Sequence, residues 1–358
     1  MPADAASAPD QRRDGPAQPL EFLVVDEFLR TVVDARALKT AFELGLVDRL
    51  VEHRSGSVQA LGRTLGTEPQ GLRFLLDLLA ANGVIEERSG DVRLAARFLT
   101  ALRYRDLLEA KLDFAGFLLN DFADLFTMLV KDAGGFAAKA RLFQLFDYRR
   151  ALDPRIENYV PTRAWMRFTS ALTRYEARAC MQLHDFAGHR RVLDVGGNSG
   201  EFVLQLLRCH SGLRGTVLDL PLVCEIGMEH VLGEPELPRI GFLKADVRTD
   251  PLPGGYDLIT FKSMLHDWPW DEAKGYLGKA AQALDPGGTL LVFERGPLRV
   301  REHTPPFSLL PILLFFRSYR PAADYVAQMQ ALGLQQIEVR EIELDAPFYL
   351  VSGRKAAS

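Results

Sequence analysis

The sequence predicts an α/β fold: a doubly wound, mostly parallel sheet preceded by an all-helical region. Three observations carry this expectation. After residue 190 short β-branched and aliphatic runs alternate with helical segments or turns, the pattern of a parallel sheet with crossover helices. The first of these runs ends in a glycine turn, LDVGGNSG (193–200), followed at once by a helix-forming run at 201–207. Between residues 20 and 150, by contrast, Leu, Ala and Phe recur at helical spacing with few alternating stretches. The 358 residues are enough for two domains. We expect a disordered tail at 1–19, a helical domain at 20–165 and a sheet domain at 166–358.

The first twenty residues are rich in Ala, Pro, Asp and Arg and contain no apolar core of a secretory signal, which predicts a disordered tail. Within the helical domain, at about 35–100, the stretch SVQALGRTLGTEPQGLRFLLDLLAANGVIEERSGDVRLAARF reads as helix, turn, helix and then a hairpin over 84–94 turning at Ser89 and Gly90. That is a winged-helix outline. Its second helix, starting near Pro69, offers Arg73 as a base against Glu68 and Asp77, and spends Leu72, Leu75, Leu76 and Leu79 at core spacing. A reader of DNA needs several donors facing phosphates and bases, so a structural, dimer-forming role is expected and nucleic acid is not. Aromatic residues then crowd 114–168, mostly as helix packing, with some expected to line a pocket.

Five β runs follow in the sheet domain: RVLDV, GTVLDL, IGFLKADV, YDLITFKS and GTLLVFERG. The clearest helix between them, DEAKGYLGKAAQAL, is expected to close on the turn PGG. A helix at 322–332 and two further runs, QQIEVREIE and FYLVSGRK, end the chain; with no helix between them, these two predict an antiparallel hairpin at the sheet edge.

Composition excludes several functions. A net charge of −4 gives no bulk attraction to nucleic acid. Cys180, Cys209 and Cys224 are odd in number, share no CxxC spacing and fall in helical segments, so neither a disulfide frame nor a zinc site is expected, and reduced, cytosolic thiols are. The longest apolar run, 309–316, contains Pro311 and is far shorter than the roughly 20 residues of a spanning helix, so no membrane segment is expected.

The glycine turn poses the question of its ligand. Asn198 stands where a dinucleotide fingerprint has its middle glycine, leaving G-G-x-x-G, which on spacing alone specifies nothing. The acids say more. Asp194 before the turn and Glu201 after it would repel a pyrophosphate and welcome an ammonium and a sulfonium. The second strand ends in Asp219, suited to two ribose hydroxyls, and the third in Asp246, suited to an adenine amino group. This series describes an S-adenosylmethionine (SAM) site better than a dinucleotide site.

LDVGGNSG, VLDLP, KADV, FKSMLHDW and VFERG, in this order, resemble the small-molecule O-methyltransferases related to plant caffeic-acid and animal hydroxyindole O-methyltransferases and their bacterial natural-product relatives. The resemblance covers nearly the whole chain, since AFELGLVDRL and the winged-helix outline look like that family's dimerisation domain. It implies a Rossmann-like SAM methyltransferase sheet, a homodimer, and transfer of methyl to a hydroxyl of an aromatic or polyketide-like small molecule in bacterial secondary metabolism. Transfer to carbon or nitrogen, or a SAM-binding protein without transfer, stand as alternatives. By resemblance the cofactor residues are Asp194, Gly196, Gly197, Gly200, Asp219, Leu220, Asp246, Val247, Lys262 and Ser170, with Lys262 at the cofactor's polar end. His266 would be the general base, oriented by Glu294 with a share for Asp267. Met166, Trp165, Phe117, Leu313 and Phe316 would touch the acceptor.

Three departures from the family pattern stand out. Asn198 replaces a turn glycine, tolerable because Asn enters left-handed backbone more easily than most residues. The second carboxylate beside the base aligns with Tyr319, whose hydroxyl could hydrogen-bond His266 or the acceptor. The segment before it, FSLLPILLFF, is apolar, with Pro311 expected to interrupt its helix; it is expected either to line the acceptor pocket or to pack between domains or across the dimer.

Overall fold

The computed structural model describes residues 20–301 and 304–357, so the tail expected at 1–19 lies outside the described residues. A 3-10 helix (Glu21–Phe28) and the helices Val32–Glu43 and Leu46–His53 open the fold. Strand β1 (Gly56–Ser57), helices Val58–Leu65 and Pro69–Ala81, and strands β2 (Ile85–Arg88) and β3 (Asp91–Leu94) follow, the strands pairing antiparallel in the order β1-β3-β2. Ser89 and Gly90 both take positive φ (54° and 83°), the tight two-residue turn whose twist suits a hairpin. Glu68 starts the helix Pro69–Ala81 by accepting the amides of Gln70 and Gly71, and Leu72, Leu75, Leu76 and Leu79 are buried as their spacing predicts. Arg73 is held by Asp77 and Glu87, each 2.7–2.8 Å away, so its charge is already matched within the protein.

Two long helices, Arg105–Lys131 and Ile156–Leu183, pack together, with Phe114 stacked on Phe168 at 4.9 Å. Short helices Ala133–Lys139, Arg141–Leu145 and Tyr148–Ala151 lie between them in sequence. The helix Ile156–Leu183 runs unbroken through the boundary expected between residues 165 and 166. It packs against Arg105–Lys131 in the helical part and against Glu201–Cys209 in the sheet part, so it belongs to both.

The main sheet holds β4 (Arg191–Val195), β5 (Arg214–Asp219), β6 (Ile240–Lys244), β7 (Tyr256–Lys262), β8 (Leu284–Arg295), β9 (Gln335–Glu343) and β10 (Pro347–Arg354), in the order β6-β5-β4-β7-β8-β10-β9. The first five are parallel, and the closing hairpin is antiparallel as expected. Its second strand inserts beside β8 because β10 is mostly buried, while the charged, exposed β9 makes the outer edge. Two local expectations are corrected. PGG does not close the helix Trp270–Ala283: that helix ends at Ala283, and 285–288 bulge from β8 between the pairs Tyr256–Leu284 and Leu258–Thr289. Pro311 starts a helix rather than interrupting one, since it stands in the first turn of Leu310–Leu314, where its missing N–H has no intrahelical partner to lose. Among the described residues no helix is long and apolar enough to cross a membrane, and no cluster of three or more metal-ligating side chains occurs.

Candidate active site

The winding of the sheet reverses between β4 and β7, and a cleft opens there at the carboxyl ends of the strands. The glycine turn forms part of its floor through Gly196 and Asn198. Asn198 adopts φ 56°, the left-handed conformation expected of it. Gly196 takes φ 69°, and a Cβ there would lie 2.5 Å from Cγ of Met264, so only glycine lets the turn settle on the loop after β7.

Several residues read as ligand contacts stand behind this surface. Asp194 is buried and accepts a hydrogen bond from the Thr260 hydroxyl at 2.7 Å; burial pushes its pKa up to about 7. Gly197 packs on Asp194, and Gly200 begins the helix Glu201–Cys209, so both shape the turn without lining the cleft. Ser170 donates to Met166 O or Ser199 Oγ, each at 2.6 Å, also behind the wall. Glu201 is turned away, bound to His230 at 2.6 Å, Gln205 at 2.8 Å and Arg174 at 2.9 Å. The expectation that Asp194 and Glu201 together face the ligand is therefore corrected. A neighbour in sequence supplies the charge, but packing directs it elsewhere.

Asp219 and Asp246 do line the cleft. The backbone amides of Asn198 and Leu220 donate to the two Asp219 oxygens at 2.8 and 2.7 Å, which aims the carboxylate; burial pushes its pKa up to about 6. Leu220 and Val247 are beside them. Arg248 grips Asp246 at 2.6 Å and holds its carboxyl below the usual range, so part of the hydrogen-bonding capacity expected for an adenine is already used. Lys262 lines the cleft too, donating to Thr173 at 2.8 Å and to Glu176, and Glu176 also takes Arg295 at 2.5 Å.

His266 lies in the 3-10 turn Leu265–Asp267 after β7. Its Nδ1 meets Glu294 Oε2 at 2.8 Å, and the other Glu294 oxygen accepts the Met264 and Leu265 amides at 2.7 Å each. Glu294 is fully buried at the end of β8, and the two arginines near it in sequence are engaged elsewhere, Arg295 with Glu176 and Arg299 with Glu341 and Glu343. This leaves Nε2 available to the cleft, with Asp267 Oδ1 3.4 Å away. Burial lowers the His266 pKa, but the charges of Glu294 and Asp267 outweigh it and the net shift is upward. Tyr319 is buried with its ring 5.3 Å from that of His266, so the second carboxylate near the imidazole is Asp267.

The side of the cleft next to His266 is apolar. Phe146, Trp165, Ile312 and Phe315 line it, and Phe315 meets His266 edge-on at 5.8 Å. Four expected contacts fall elsewhere. Met166 is core, packed with Leu222, Val223 and Ile226. Phe117 is exposed, and Phe114, three residues earlier, lines the cleft instead. Leu313 packs in the small cluster around Tyr319 and Ala346, and Phe316 is exposed beside Arg317. The segment at 307–319 thus does both things expected of it: Leu310 and Leu314 pack with Phe114 and Leu118 of Arg105–Lys131, while Pro311, Ile312, Phe315 and Tyr319 face the cleft. Tyr148 falls in the aromatic stretch expected to supply pocket residues and Trp268 in the FKSMLHDW motif, but neither was given a contact, and Glu176 was not foreseen. Each meets a partner distant in sequence, which no spacing announces.

A sheet of this order, with a glycine turn, an aspartate at the end of the next strand and a histidine–glutamate pair across the cleft, defines a SAM-dependent methyltransferase. The chain belongs to the O-methyltransferase family: residues 155–324 match the O-methyltransferase domain and 27–110 the O-methyltransferase dimerisation domain. It is 29% identical to the 3-hydroxy-5-methyl-1-naphthoate 3-O-methyltransferase of Streptomyces sahachiroi, over 72% of this chain and 73% of that one. It is 27% identical to the mitomycin biosynthesis 6-O-methyltransferase of Streptomyces lavendulae, over 87% and 88%. Human N-acetylserotonin methyltransferase in complex with SAM shares the fold, with a TM-score of 0.69 at 21% identity over 90% of this chain and 94% of that one.

Proposed function

We propose that this enzyme moves the methyl group of SAM to a hydroxyl of an aromatic or polyketide-like small molecule, with His266 as general base. The observation that carries this reading is the buried His266–Glu294 pair, which fixes one ring nitrogen and offers the other to an apolar cleft. Bound SAM supplies a methyl on a positively charged sulfur, so the reaction is an in-line displacement and the protein's work is alignment and proton removal. Asp219 would hold the ribose, Val247 with Asp246 and Arg248 the adenine, and the turn at Gly196 with Lys262 the amino-acid end. Phe146, Trp165, Ile312 and Phe315 would hold the acceptor ring by apolar area. With SAM bound, Nε2 would take the hydroxyl proton as the oxygen displaces sulfur from the methyl carbon, while Nδ1–H would stay hydrogen-bonded to Glu294. A phenol has a pKa near 10, so the raised pKa of His266 narrows the gap for that transfer. The names of the two Streptomyces relatives, one acting on a hydroxynaphthoate and the other a 6-O-methyltransferase of mitomycin biosynthesis, support an acceptor of this class and a place in secondary metabolism. Mass spectrometry after incubation with methyl-labelled SAM and a panel of hydroxynaphthoates and polyketide phenols tests it. The label should appear on oxygen; on carbon or nitrogen it would refute the reading.

Asp219→Asn should weaken SAM at least about tenfold, since a charge-assisted hydrogen bond contributes roughly 1.5–3 kcal/mol. The amide would also turn an N–H toward a backbone donor, Asn198 or Leu220. Calorimetry reads this directly, and unchanged affinity would remove Asp219 from the site.

The dimerisation domain and an apolar groove that includes the exposed Val32, Val33 and Phe74 support a homodimer. The winged-helix outline then serves assembly rather than DNA, in keeping with the matched charge of Arg73. Light scattering should return twice 40.0 kDa. A monomer at micromolar concentration, or salt-sensitive binding to random duplex, would count against it. The free cysteines support a reducing, cytosolic setting.

A further inference from the structure

We propose that Tyr148 is a positioning residue for methyl transfer, tethering the Asp267 carboxylate so that it lies beside Nε2 of His266 without occupying it. The inference rests on the reading of His266 as base. Tyr148 comes from the helical cover, at the start of the short helix Tyr148–Ala151, which Asp147 caps by accepting the Arg149 amide at 3.2 Å. Its ring stacks on Trp268 at 5.6 Å and 21° and meets Trp165 edge-on at 6.1 Å. Its hydroxyl donates to Asp267 Oδ2 at 2.6 Å.

The distances define what this contact does. Asp267 Oδ1 is 3.4 Å from His266 Nε2, near enough for its charge to be felt and beyond the 2.7–2.9 Å of a charge-assisted hydrogen bond. Nε2 is the nitrogen that must face the acceptor hydroxyl, because Nδ1 is committed to Glu294. A carboxylate free to close the remaining gap would take that place itself. Tyr148 spends the other carboxylate oxygen and holds the group back. The charged and titratable groups around the imidazole are then Glu294 and Arg295 from β8, Asp267 on its own turn, and Tyr319 from the segment after Leu310–Leu314, with Tyr148 facing Asp267 from the cover. Burial raises the Asp267 pKa, and the His266 charge and the Tyr148 hydrogen bond oppose that rise. The cover therefore completes the base as well as enclosing the substrate.

Tyr148→Phe keeps the ring on Trp268 and removes the tether. Asp267 should close on Nε2 and stabilise the imidazolium, so turnover at neutral pH should fall about tenfold and the acid limb of the pH–rate profile should move to higher pH. The Michaelis constant for SAM should stay within about twofold, because the contact acts on the base and not on cofactor binding. In an Asp267→Asn background the same change should leave the acid limb where it is, since there is no carboxylate to release. An acid limb that is unmoved or moves down, an effect of equal size in both backgrounds, or a rise in acceptor Michaelis constant alone would each overturn the proposal. His266→Ala separates the two readings: if it leaves turnover intact the base assignment fails, whereas if it abolishes turnover and Tyr148→Phe is silent only the positioning role fails.

Discussion

His266→Ala is expected to lower turnover by about 10² to 10⁴, the usual contribution of a positioned general base, while SAM affinity stays nearly intact. The two effects separate because the imidazole is oriented by Glu294 and flanked by Phe315 and Tyr319, whereas Asp219 and the glycine turn stand on other strands. The sign of the pH dependence follows from the same contacts. The charges of Glu294 and Asp267 raise the His266 pKa against the opposing effect of burial, so the active, unprotonated form accumulates only above the ordinary value of about 6.5. The acid limb of the wild-type profile should therefore lie above that value. Any stability drawn from the protonated pair is full below about 6.5 and lost as pH rises through the folded pKa. In His266→Ala the acid limb should vanish, and the deficit should shrink toward pH 10 as a phenolic acceptor ionises unaided. Retention of most activity at neutral pH would exclude a role for this histidine in proton removal and favour an acceptor that needs no base.

Glu294 should be as costly to change, in two distinguishable ways. Its carboxylate accepts the Met264 and Leu265 amides and the His266 Nδ1 hydrogen with no solvent to replace it. Glu294→Ala would strand those donors at about 1–3 kcal/mol each, enough to consume much of a typical domain's stability. Glu294→Gln keeps an oxygen for the amides but turns an NH₂ toward Nδ1, which selects the tautomer protonated on Nε2, and that nitrogen then cannot accept the acceptor's proton. The comparable carboxylate-to-amide change in a serine-protease triad costs about 10⁴ in turnover, and a loss of about 10² to 10⁴ is expected here. Calorimetry should show the alanine variant melting far lower than the glutamine variant, with both nearly inactive. A glutamine variant that turns over like wild type would refute the assignment. The native carboxyl pKa is lowered, because the His266 charge and the hydrogen bonds overcome burial. Its stabilising contribution is thus present above the ordinary carboxylate pKa and disappears as pH falls through the folded value.

Much of the fold was legible in the residues because the rules involved are local. Positive φ at Asn198, Ser89 and Gly90, burial of Leu72, Leu75, Leu76 and Leu79, and the alternation from β4 to β8 each depend on a few neighbouring side chains and one backbone period. The lining of the cleft was legible where strand ends fix direction: Asp219, Asp246, Lys262, His266 and Glu294 all stand at or just after the ends of parallel strands whose carboxyl ends share one side of the sheet. The helical contributions were not. Phe114 rather than Phe117, and Ile312 rather than Leu313, were decided by how each helix rolls against its neighbours, since a step of one residue turns a helical side chain by about 100°, and Phe315 rather than Phe316 by the turn that follows Leu310–Leu314.

The sequence by itself determined that the glycine turn, Asp219 and His266 would meet at one edge of a doubly wound sheet, because a parallel strand carries its direction in its own chain. Only the tertiary structure decided which charges that edge keeps. Glu201 is drawn away by Arg174 and His230, Lys262 and Arg295 are tied to Glu176, and Asp267 is held by Tyr148. Each of these partners comes from a helix or cover segment far along the chain, and the strength and direction of a buried charge depend on the groups packed against it, which no local pattern encodes.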